Sequence, residues 1–138
     1  KIWGKYTTDE LKYDVLLTPH HCSWHSLSWD SWSEKGKDAK VSATARKALA
    51  QAEPGATVLS SSTTIKDDKN DPPCIRAQRE YQYIINPGKG EFRCLADEPG
   101  DDPFDLIVGQ YGPKAHSKRL VAPASVGTAV GSEALGHG

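Results

Sequence analysis

The chain has 138 residues and a formal net charge of -1, from 17 basic and 18 acidic side chains. That length supports one domain with a real core but not two, and the balanced charge disfavours nucleic acid or an anionic membrane surface as partner. The longest apolar run is far short of a membrane span and no signal-peptide pattern opens the chain, so a cytoplasmic protein is expected.

Three cysteines, Cys22, Cys74 and Cys94, make an odd set without framework spacing. They read as free thiols in a reducing compartment. Methionine is absent and residue 1 is Lys, which predicts a piece of a larger protein whose site is incomplete in this chain.

Residues 1–13 read as a short helix leading into a strand. Thr7 or Thr8 can cap it, and Asp9 and Glu10 fall in the first turn, where the helix dipole favours acids. Trp3 and Leu11 are the expected inward contacts. Residues 14–18 read as a short buried strand, ended by Pro19, which cannot continue a central ladder. Residues 22–40 carry Trp24, Trp29 and Trp32 among serines. Their spacing fits neither a 3.6 nor a 2.0 period and predicts a loop with one helical turn.

Ser42 is a good N-cap for a helix over 42–52, with Val41, Ala45, Leu49 and Ala52 as its buried stripe and Pro54-Gly55 as its stop. Residues 56–60 read as a β-branched strand, and 60–72 as a long polar connector. Pro72-Pro73 opens a second helix over about 74–85, where a missing amide costs little, and Asn86-Pro87-Gly88 ends it. Residues 91–96 read as a third strand and 104–111 as a fourth, with Gly112-Pro113 as a turn. Beyond residue 114 no core pattern continues, although Leu120-Val121 would suit a short strand. The element order predicts an α/β layer structure.

The densest chemistry lies in Asp14-Val15-Leu16-Leu17-Thr18-Pro19-His20-His21-Cys22-Ser23-Trp24-His25. A strand running into a proline and then histidines delivers metal-type ligands to its C-terminal end, where ligands converge in open α/β sheets. His20 and His21 are therefore candidate zinc ligands, against the plainer reading of a satisfied polar pair in a loop. Cys22 and His25 form half of a Cys-x-x-His zinc pattern, for which no second half with matching spacing is present. The tryptophan–serine stretch suits either a substrate platform or a core cover. Asp67, Asp68 and Asp71 suit a hard cation or a solvated loop. Arg76 and Arg79, near a helix start, suit a phosphate or an exposed basic face.

The run Asp-Val-Leu-Leu-Thr-Pro-His-His-Cys-Ser resembles the Asp-Val-Leu-x-x-Pro-His-His-Gly-Ser signature of metallo-β-lactamase-fold hydrolases, in the subgroup resembling the ComEC domain. The element order after it also resembles that family: a helix, a Val-Leu-Ser-Ser strand, a loop with Asp-Pro-Pro, a helix ending near Ile84-Ile85, and a Gly-Glu-Phe-Arg strand. The longer run through Trp-Asp-Ser-Trp-Ser-Glu resembles a bacterial branch associated with phage defence and ubiquitin-like conjugation.

The resemblance covers residues 1–97 and implies the C-terminal half of an αββα sandwich, with 98–138 as extra strands and a Gly/Ala-rich tail outside it. It implies a binuclear zinc site whose activated water attacks a phosphodiester, amide or thioester in a small-molecule, nucleotide or protein-conjugate substrate. Most ligands would precede this chain, so the N-terminal half of the same fold is the implied partner, and His20 or His21 is the ligand present. Cys22 stands where the family carries glycine. On the hydrolase reading Ser23 and the Trp24–Trp32 loop line the pocket, Arg76 near its helix start joins Ser23 and Trp24 in binding substrate, and His25 steadies a ligand or donates a proton. Half a sandwich would expose one sheet face and need its other half for stability. From another class, a non-catalytic interaction module is the rival expectation, with the glycine-ended tail, 131–138, docking into a partner's narrow site.

Overall fold

A computed structural model of the chain describes residues 5–100 and 103–115. The expectations for Trp3 and for the tail with Leu120-Val121 lie outside the described residues. What is described is mixed α/β. Strands β1 (Tyr13–Leu17), β2 (Ala52–Ser60) and β3 (Glu91–Cys94) form one parallel sheet in the order β1-β2-β3, and β4 (Leu106–Gly109) and β5 (Gly112–Ala115) form an antiparallel ribbon. The helices are α1 (Trp32–Lys35), a single turn, α2 (Ala43–Leu49) and α3 (Ile75–Ile85). Among the described residues no helix is long and apolar enough to cross a membrane.

Local chemistry explains most of the element starts. Thr7 and Glu10 bond reciprocally, with the Thr7 amide and hydroxyl both donating to Glu10 Oε2 at 2.8 Å, and they open a 3-10 turn at Asp9–Leu11. Ser42 Oγ accepts from the Ala45 amide at the start of α2. Gly90 lets α3 return to the sheet. A Cβ there would stand 2.7 Å from the Ala56 oxygen and 2.8 Å from the Ile85 Cβ, so only glycine allows β3 to come this close to β2.

The core joins the sheet to both longer helices. Val58 on the central strand packs with Leu49, Ala77, Tyr81 and Ile85, and Trp24 and Leu27 close one end. The Tyr81 and Phe92 rings stack at 6.4 Å. Arg46 Nε and Nη2 bond both oxygens of Glu80 at 2.6 and 2.9 Å, pinning α2 to α3.

Three expectations change. β1 is an edge strand rather than a buried one: Val15 is 37% and Leu17 57% exposed, and Tyr13 and Leu16 pack against the core. Hydrophobicity alone cannot tell an edge strand from a central one. β2 starts at Ala52 and runs through Pro54-Gly55, because the register slips between Tyr13↔Ala52 and Val15↔Thr57 and the irregularity absorbs both residues. Gly112-Pro113 lies inside β5, pairing Gly109 and Val108, so the hairpin turns at Gln110-Tyr111 instead.

Candidate functional site

β1 is followed by Thr18, whose amide donates to the Leu59 oxygen on β2 at 2.7 Å. The chain then makes a tight turn in which three consecutive non-glycine residues, His20, His21 and Cys22, hold φ of 48°, 55° and 64°. Each left-handed L-residue costs roughly 1–2 kcal/mol, so the turn persists only because its surroundings hold it.

Those holds are specific. The Cys74 amide donates to the Cys22 oxygen at 3.0 Å. Asp71 Oδ1 accepts the Trp24 amide at 2.9 Å. Ser26 Oγ donates to the Pro19 oxygen at 3.2 Å. His21 Nδ1 lies 3.0 Å from the Ser61 main-chain oxygen and 3.3 Å from Ser61 Oγ. A carbonyl only accepts, so Nδ1 carries the proton, and whenever the ring is neutral the lone pair lies on Nε2. His20 and His21 are both exposed, with ring centroids 6.4 Å apart.

The side chain after them turns the other way. Cys22 is fully buried. Burial pushes its thiol up to about 12, with Cys74, Cys94 and Asp71 adding to the effect and the Ser60 hydroxyl opposing it. Cys22 is thus enclosed in the core while His25 is exposed, which does not suit a shared Cys-x-x-His half-site. All three thiols are free and buried.

The expected substrate-binding residues are placed elsewhere. Ser23 is buried, and its Oγ accepts the His25 amide at 3.2 Å. Trp24 is 0% exposed, with Nε1 donating to the Asp30 oxygen at 3.0 Å. Neither presents a surface to substrate, because the loop folds over them to close the core. Arg76 is held against that core: its guanidinium stacks over Trp24 at 4.6 Å and Trp32 at 4.9 Å and donates to the Gly36 and Ala39 carbonyls. Those bonds occupy Nη1 and Nη2, the donors a phosphate would need. Of the three loop tryptophans, Trp29 alone stays in water, at 83% exposure.

The acidic loop is dispersed as well. Asp67 bonds Arg79 at 2.8 Å, Asp68 bonds Asn70, and Asp71 reaches inward to Trp24. Among the described residues no group of three His, Cys, Asp or Glu side chains stands close enough to hold a metal. Ser61, the residue that orients His21, has no sequence signal, because its main-chain oxygen does the orienting.

Compared with family models, with curated proteins and with solved structures, the chain matches none.

Proposed function

We propose that the chain is the C-terminal half of a metallo-β-lactamase-fold hydrolase that uses zinc-activated water on a phosphodiester, amide or thioester substrate. The observation that carries this reading is the bond from His21 Nδ1 to the Ser61 oxygen. Proteins fix a zinc-ligating imidazole in this way, with one nitrogen committed to a carbonyl and the other free. Two features support it. The histidines follow a parallel strand at the end where open α/β sheets bind ligands. Cys22, where the resembled family carries glycine, has φ +64°, a backbone glycine adopts freely.

On this reading His21 is the ligand this chain contributes, and His20 stands beside it. The remaining ligands come from the N-terminal half of the fold, which would also cover Val15 and Leu17. Bound zinc supplies a lowered water pKa and a positive charge that polarises the scissile bond. The chain's own residues hold Nε2 of His21 in a fixed tautomer and place exposed His25 where it can exchange a proton with solvent.

The test is the zinc content of the full-length protein, alone and as His20→Ala and His21→Ala. Zinc lost with His21→Ala and kept with His20→Ala is the expected result. No bound zinc in the intact protein, even when zinc is supplied, would remove the hydrolase. It would leave the second reading, a non-catalytic interaction module, which the exposed Val15, Leu17, Ile107, Val108 and Tyr111 favour.

A further inference from the structure

The left-handed turn at 20–22 is gripped from one side by a short segment of the β2–α3 connection. Cys74, the residue before α3, donates its amide to the Cys22 oxygen at 3.0 Å, and Asp71 Oδ1 accepts the Trp24 amide at 2.9 Å. The two bonds fall on either side of Ser23, so the exit of the turn is fixed at two points. On the other side His21 reaches Ser61 at the end of β2. If the exit shifts, the imidazole swings away from that carbonyl.

Asp71 is an unexpected choice for this task. Its Oδ2 is buried with no hydrogen-bond partner among the described residues, and a buried unpaired polar atom costs stability. A carboxylate retained at such a cost is explained by what its other oxygen does.

We propose that Asp71 is the positioning residue for His21, an assignment that rests on the zinc reading for its purpose but not for its geometry. Through the Trp24 amide it holds the turn's exit. It thereby keeps His21 Nδ1 on the Ser61 oxygen and Nε2 free. Asp71 touches neither substrate nor metal; it acts through the main chain of the histidine turn.

The first measurement uses the intact protein, freed of metal. Imidazole nitrogen NMR shifts of His21, read at about pH 8, above the ordinary histidine range, report which nitrogen carries the proton. The unaltered chain is expected to show a single Nδ1–H form. Asp71→Ala is expected to show both tautomers in exchange, because the ring is released. Asp71→Asn keeps an acceptor for the Trp24 amide and is expected to restore the single form. Asp71→Leu fills much the same space without an acceptor and is expected to show both tautomers, which separates the hydrogen bond from packing. An Asp71→Ala chain that keeps the Nδ1–H form would overturn the assignment, as would an Asp71→Asn chain that loses it.

Should Asp71→Ala fail to fold, amide hydrogen exchange of the unaltered chain still decides. Trp24 N–H must be as protected as Cys74 N–H, and rapid exchange at Trp24 would refute the bond. Zinc titration of the intact protein comes last, with about a ten-fold loss of affinity expected for Asp71→Ala. Absence of zinc binding by the unaltered protein would defeat the hydrolase reading, while the tautomer comparison would still decide the role of Asp71.

Discussion

The Nδ1–H of His21 donates to the main-chain oxygen of Ser61 over 3.0 Å, joining the exits of β1 and β2. The Ser61 hydroxyl lies at 3.3 Å from the same nitrogen and is the weaker partner. We predict that Ser61→Ala, which keeps the carbonyl, changes zinc affinity of the intact protein by less than about three-fold, well short of the 10–100-fold typical when an orienting group is lost. A larger loss in a zinc titration would show that the hydroxyl, rather than the carbonyl, orients the ring.

Arg76 is predicted to act through stability. It makes two charge-assisted bonds to the carbonyls of Gly36 and Ala39 and stacks on Trp24 and Trp32. Arg76→Ala should cost about 2–4 kcal/mol, and Arg76→Lys should recover less than half of that, lacking the planar fork. Urea unfolding followed by tryptophan fluorescence measures both. An Arg76→Ala chain of unchanged stability would contradict the stacking role.

Half-buried Tyr13 and buried Tyr81 should respond oppositely to loss of the hydroxyl. The Tyr13 OH donates to the Leu49 oxygen at 2.8 Å, whereas the Tyr81 OH is buried without a partner among the described residues. Tyr13→Phe is therefore predicted to cost about 1 kcal/mol and Tyr81→Phe to be neutral or stabilising by up to about 1 kcal/mol. Denaturant midpoints of the two variants give the comparison, and a reversed order would mean that Tyr81 OH is satisfied in solution.

Alkaline pH should unfold the chain by a defined route. Burial raises Cys22 from an ordinary 9.0, and Tyr13 from an ordinary 10.0, to about 12 in each case. Both groups are neutral when protonated, so the fold favours the protonated form. Their contribution is full below the unfolded values and is lost as pH rises from about 9 towards 12. The melting temperature is predicted to decline across that window, and to decline less in Cys22→Ala. A flat profile up to pH 11 would show that these groups meet water in the fold.

Much of the secondary structure was legible because its signals are local. The Ser42 cap and the apolar positions Tyr81, Ile84 and Ile85 specify α2 and α3 within a few residues of themselves. Glu91–Cys94 follows directly from the chain break at Asn86-Pro87-Gly88. The candidate site was half legible. The density of histidine after a strand-ending proline marked the turn, but the roles of Ser23, Trp24 and Arg76 were set by packing between segments more than 40 positions apart.

By itself the sequence determined the candidate site's make-up: an apolar strand, a proline, and two histidines that emerge together because neighbours in the chain must be neighbours in space. Only the tertiary structure decided which histidine has a fixed tautomer, that β1 is an edge, and that Trp24 is covered. Each of these depends on what a distant segment brings alongside. A main-chain carbonyl such as that of Ser61 is the same for every residue type, so the composition of the chain carries no trace of the bond it makes.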